Sequence, residues 1–185
     1  MKKIIVLLVG TLFLTLSGFS NISYAAGEYL GGKWGQSAVY YNYTSSVSSY
    51  HTPIIEAADR WNGKATINLR YGPVWGALGT TTQITVDRVP TSLDAQYTFQ
   101  GYYGFGIPNT FSGNYSSAQV LIVRGKCDPL TATEKRQVLV HEFGHVLGLA
   151  HVTAWFTDSV MDEDDVFDLN FPTTYDITNL QGLYP

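Results

Sequence analysis

The stretch "QSAVYYNY" (residues 36–43) is rich in β-branched and aromatic residues and predicts a first strand. In "SYHTPIIEAADRWNGK" the period changes. Ile54, Ala57, Ala58 and Trp61 recur on one face of a helix, with Thr52 as its cap, Pro53 at its first position and Asn62-Gly63 as its stop. "TINLRY" alternates like a second strand, "GPVWGALGT" reads as a loop, and "TQITVDRV" reads as a third strand. The aromatic, glycine-rich run "YTFQGYYGFGIPNTFSGNYSS" predicts an irregular edge strand near Gln100–Phe105, and "AQVLIV" (118–123) a short buried strand. The longest predicted helix runs from about Ala132 to Leu147. Thr131 and Glu134 form a capping box at its start, and Val138, Leu139, Phe143, Val146 and Leu147 supply its apolar face.

Ahead of these elements lies a different pattern. Lys2 and Lys3 precede an apolar run over Ile4–Phe19, followed by Ser23-Tyr24-Ala25. This is the layout of a secretory leader cut after Ala25, and the alternative is an uncleaved anchor. The expectation is a leader over 1–25, one domain over 26–185, export, and no stable membrane association once the leader is removed. Eleven Lys and Arg against fifteen Asp and Glu leave a net charge of −4, with no basic face for a nucleic acid. The single cysteine, Cys127, excludes an intramolecular disulfide, so core packing or bound metal must hold the domain. Cys127 reads as a lone, partly buried thiol, with a metal or latency role as the alternative.

Three of the four histidines fall within eleven residues, in "HEFGHVLGLAH" (141–151). At about 100° per residue, His141 and His145 share a helix face one turn apart, so both imidazoles can reach one metal ion. Glu142 is offset by one residue, too far round to be a ligand but able to reach a water held by the metal. His151 would sit about 240° round a continuous helix, so the helix must break first, and Gly148 is placed to reverse the chain. Glu163 or Asp164 is the rival third ligand.

This H-E-x-x-H-x-x-G-x-x-H motif resembles the metzincin zinc metalloproteases, most closely the matrixins. The resemblance implies zinc on His141, His145 and His151, Glu142 as general base, and Met161 in a turn that supports the histidines from below. "GGKWGQSAVYYNY" looks like the family's opening strand, "IIEAADRWNG" like its first helix, and "YDITNLQGLYP", with Asp176, like its closing helix. The implied fold is α/β, a twisted, mostly parallel five-stranded sheet with about three helices. The implied function is a secreted, monomeric zinc endopeptidase acting on protein or peptide substrates, with an extended substrate added to the edge strand near Gly101–Phe105.

Departures from the family bound what carries over. No segment resembles a cysteine-switch propeptide. With only His51 outside the motif, the usual structural zinc site cannot assemble. Asp162 follows Met161 where matrixins have a Tyr-Pro pair, so substrate preference does not transfer. The acidic run Asp162, Glu163, Asp164, Asp165 and Asp168 can bind calcium or stand as a solvated loop. Two other classes stay open: a non-proteolytic zinc hydrolase, and a surface module presenting the tyrosines of "YYNYTSSVSSY" and "QGYYGFG" to a glycan.

Overall fold

A computed structural model describes residues 29–72, 82–152, 157–164 and 166–185. The expected leader, most of the 72–80 loop and Asp165 lie outside the described residues. Among the described residues lie strands β1 (Gly32–Trp34), β2 (Ala38–Tyr43), β3 (Asn68–Tyr71), β4 (Ile84–Arg88), β5 (Gly104–Pro108), β6 (Gly113–Tyr115) and β7 (Ala118–Ile122) and five helices. The helices are α1 (His51–Trp61), α2 (Thr91–Gln100), α3 (Arg124–Cys127), α4 (Ala132–Val146) and α5 (Thr174–Leu183).

Five strands form one sheet in the order β3-β2-β4-β7-β5. The first four run parallel and β5 runs antiparallel along the edge. This is the mostly parallel α/β sheet expected from the sequence. Alternate residues of the strands face the helices: Val39 and Tyr41, Ile84 and Val86, Val120 and Ile122 are all buried. Against them pack Ile54, Ala57, Ala58 and Trp61 of α1 and Leu139 and Phe143 of α4. Phe143 meets Tyr41 edge to face at 5.6 Å.

Four differences from the sequence reading have physical causes. Helix α2 was not expected, because none of its residues is buried and it therefore carries no apolar period. The edge strand lies at Gly104–Pro108, displaced from Gln100–Phe105 because α2 and its Gly101 stop occupy the earlier residues. Strands β1 and β6 form a separate two-stranded parallel ribbon, three residues each, which no local pattern announces. Thr52 is not the cap of α1. A 3-10 turn over Ser45–Tyr50 feeds straight into the helix at His51, and Pro53 falls inside the first turn, where a missing N–H is harmless.

Helix α4 begins as the sequence predicts. The Thr131 hydroxyl accepts from the Glu134 N–H while the Glu134 carboxylate accepts from the Thr131 N–H at 2.8 Å. Its far end is built from distant parts of the chain. The Trp61 indole donates to the Val140 carbonyl at 2.9 Å, the Trp34 indole to Val146 at 2.8 Å, and the Tyr184 hydroxyl to Leu147 at 2.9 Å. The carbonyls of Val146 and Leu147, which a helix end leaves without a partner of its own, are thereby satisfied, and Trp61 adds a second bond to a carbonyl inside the helix. This fixes the end of α4 that bears the histidines.

Candidate metal centre

His141 and His145 project from the last turns of α4, where both are buried. The helix stops just beyond them. Gly148 takes a φ of +101°, its N–H donates to the His145 carbonyl at 2.9 Å, and the Leu149 N–H donates to Gly144 at 3.0 Å. That paired reversal is a Schellman motif. A Cβ at residue 148 would also lie 2.7 Å from the Gly32 carbonyl oxygen, so both backbone and space require glycine. The reversal brings His151 back over the helix end.

The Nε2 atoms of His141, His145 and His151 stand 3.0–3.1 Å apart. Behind them, His141 Nδ1 lies 2.8 Å from the Val160 carbonyl and His145 Nδ1 lies 2.9 Å from the Leu149 carbonyl. A carbonyl only accepts, so each of these Nδ1 atoms carries the proton and each Nε2 presents a lone pair. Burial holds both imidazoles neutral. His141 is pushed down to about 3, chiefly by loss of solvent and also by His151, and His145 well below its usual range for the same reasons. Converging lone pairs need a cation between them. Three nitrogens about 2.0–2.1 Å from a tetrahedral ion stand about 3.3 Å apart, close to the observed triangle. Among the described residues this is the one cluster of histidine, cysteine and acidic groups arranged to hold a metal.

Glu163 and Asp164 do not join it. Glu163 Oε2 lies 3.4 Å from His151 Nδ1, on the side of the ring away from the cluster, and the Asp164 N–H donates to Asp162 Oδ1 at 2.8 Å. Cys127 is also apart. It is buried, its thiol donates to the Tyr103 carbonyl at 3.1 Å, and loss of solvent pushes it up to about 12.

Glu142 is buried between α4 and the edge strand. Burial pushes its carboxyl up to about 8, against the pull of the Gly106 N–H. The strand approaches so closely because it lacks side chains there. A Cβ at Gly104 would lie 3.0 Å from Glu142 Oε1, and one at Gly106 would lie 2.2 Å from the Glu142 carbonyl oxygen and 2.6 Å from His145 Cβ. These glycines escaped the sequence reading, although a G-x-G step inside a strand signals close backbone approach.

Met161 lies beneath the cluster. A Cβ at Gly144, between the two histidines of α4, would lie 2.2 Å from Met161 Sδ. Asp176 fixes the turn that carries Met161. Its carboxylate accepts from the Ser159 hydroxyl and from the Val160 N–H at 3.1 Å, and it also closes a capping box with Thr173 at the start of α5. Because the Val160 carbonyl holds His141, Asp176 is two links from that imidazole.

Neither the family models nor the curated proteins contain a match to this sequence. Solved structures do match. High choriolytic enzyme 1, a hatching-enzyme zinc-protease from the medaka fish Oryzias latipes, superposes with a TM-score of 0.52 over 82% of this chain and 94% of that one. Myroilysin superposes with a TM-score of 0.54 over 83% and 82%. The fold is metzincin-like. Sequence identity is 15% in both cases, so the likeness is one of architecture. Within this metzincin-like frame, the matrixin resemblance rests on the motif alone.

Of the tyrosines considered as a glycan platform, Tyr41 and Tyr50 are core residues, whereas Tyr43 stacks with half-exposed Tyr71 at 5.8 Å.

Proposed function

We propose that the protein is a secreted zinc endopeptidase, with the leader over 1–25 and the catalytic domain over 26–185. The observation that carries this reading is the triangle of Nε2 lone pairs with a buried carboxylate beside it. His141, His145 and His151 would hold zinc, an all-imidazole set suited to that ion. Bound zinc supplies a Lewis acid that polarises a carbonyl and acidifies water.

The chain's own groups supply the rest. The Glu142 carboxylate takes the proton of the attacking water and returns it to the amine nitrogen as the peptide bond breaks. Burial favours the protonated form of Glu142, the form that carries the proton between these steps. Gly148 sets the return of His151, and Met161 fills the space under the histidines. The outward-facing edge of β5 takes an extended peptide as a further strand. Gly104 and Gly106 turn their carbonyls away from β7, since the bonds from Val123 N–H to Tyr103 and from Asn109 N–H to Ser117 put the odd-numbered residues on its side. The Gly106 N–H is held by Glu142, and Pro108 has none. Open backbone groups suit a polypeptide substrate over a small molecule.

The test is metal analysis of the purified protein alongside digestion of a broad peptide library. One zinc per chain and peptide cleavage abolished by a chelator are expected. A protein that binds zinc but leaves every peptide intact would sink the endopeptidase reading.

A further inference from the structure

The three histidines are not held alike. His141 and His145 lean on main-chain carbonyls, those of Val160 and Leu149, which no side-chain substitution removes. Among the described residues no carbonyl does this for His151. Its Nδ1 faces the Glu163 carboxylate at 3.4 Å, a small rotation short of the usual hydrogen bond of about 2.7–3.2 Å. His151 is also the exposed member of the set, with 27% of its side chain open to solvent.

The placement of Glu163 is fixed by backbone. Val152, next to His151, bridges in parallel to Asp162, next to Glu163, and the Val152 N–H donates to the Met161 carbonyl at 3.0 Å. Val152 and Met161 are both buried, which anchors this pairing in the core. Asp162 then accepts from the Asp164 N–H, so the chain turns directly after Glu163.

We propose that Glu163 is the positioning residue of His151: it accepts the Nδ1 proton, holds the ring so that Nε2 points into the cluster, and thereby sets the metal affinity. The proposal rests on the three-histidine zinc reading. It moves Glu163 from rival ligand to partner of the ligand. Carboxylates behind metal-bound imidazoles act in this way, and their loss typically weakens metal binding by about 10–100-fold.

The experiment compares wild type, Glu163→Ala, Glu163→Gln and Asp164→Ala by competition for Zn²⁺ against a chromophoric chelator. Circular dichroism and melting of the metal-free forms check the fold. Glu163→Ala should bind zinc about 10–100-fold more weakly. Glu163→Gln should recover most of that loss, since its amide oxygen still accepts the Nδ1 proton, and Asp164→Ala should match wild type. Substituting Co²⁺ gives a readout beyond activity: the ligand-field spectrum should change in Glu163→Ala only. Imidazole ¹⁵N spectra of the wild-type zinc protein provide a check independent of any variant. They should show His151 protonated at Nδ1 and protected from exchange. Equal zinc affinity in wild type, Glu163→Ala and Asp164→Ala, or a freely exchanging Nδ1 proton, would overturn the proposal alone. A wild-type chain that binds no zinc would overturn the three-histidine reading as well.

Discussion

Helices α4 and α2 lie on either side of the edge strand and could hardly be more different. Of the fifteen residues of α4, the ten from Gln137 to Val146 are all buried, polar ones included. None of the ten residues of α2 is buried. Phe143 of α4 is sealed in the core, while Phe99 of α2 is 92% exposed. A helix that buries Gln137, His141, Glu142 and His145 gives up the solvation of four polar side chains. Such burial persists only where each group has a partner or a task. Gln137 has its partner in the Phe167 carbonyl at 2.6 Å, and the imidazoles have theirs behind the ring. What remains on α4 is the set of inward Nε2 atoms and the Glu142 carboxylate, whose partner is the Gly106 N–H, and that is where chemistry should be sought.

The sharpest way to break this contrast is Glu142→Gln. The amide keeps the size of the side chain and leaves the histidines untouched, so zinc content should stay at the wild-type level. Loss of the base should lower kcat by at least about 10²–10⁴-fold. Peptide turnover and metal content measured on one preparation decide it. A variant that keeps zinc and most of its activity would show that Glu142 is buried for structure only.

A smaller effect is expected at Gly144, where the contrast becomes a matter of packing. Alanine would ordinarily stabilise a helix by up to about 1 kcal/mol relative to glycine. Here the added methyl meets Met161 Sδ at 2.2 Å and Trp61 Cζ2 at 3.0 Å, and overpacking of this kind costs about 1–3 kcal/mol. Gly144→Ala should therefore destabilise by about 1–2 kcal/mol in denaturant unfolding of the metal-free chain. The penalty should shrink in a Met161→Ala background, because that change empties the space the methyl needs. If Gly144→Ala stabilised the protein in both backgrounds, the close seating of Met161 under the histidines would be wrong.

The same contrast explains what the sequence disclosed. Everything about α4 was legible because several levels agreed on it: the Thr131–Glu134 cap, the apolar period, the histidine spacing and the break at Gly148. Local signals of that kind act within one or two turns. Helix α2 offers no periodic face, because it rests on little. Its signs were smaller: Asp94 in the first turn and Gly101, in the left-handed conformation, at its end. Strand β5 was placed a few residues early, at Gln100–Phe105, because α2 and its Gly101 stop were not foreseen, and its glycines serve contact with α4, a neighbour about forty residues away in "HEFGH". The pairing of β1 with β6 and the position of Glu163 beside His151 depend on chain segments meeting from a distance. No periodicity encodes that. Glu163 was singled out for its acidity, and only the Val152–Asp162 bridge shows which side of His151 it serves.

The smallest effect should come from the exposed end of the comparison. Phe143→Ala would remove a ring that touches Tyr41 and is fully enclosed, at a cost of about 3–5 kcal/mol. Phe99→Ala removes the same atoms from a site already in water, so almost no apolar area is lost from the core. Alanine is also the better helix former by a few tenths of a kcal/mol, which leaves an expected change within about 0.5 kcal/mol of zero. Denaturant midpoints of the two variants, compared with wild type at equal slope, measure the difference directly. A loss above about 1 kcal/mol for Phe99→Ala would mean that α2 is covered in solution by something beyond the described residues, and the two helices would then differ less than the structure makes them appear.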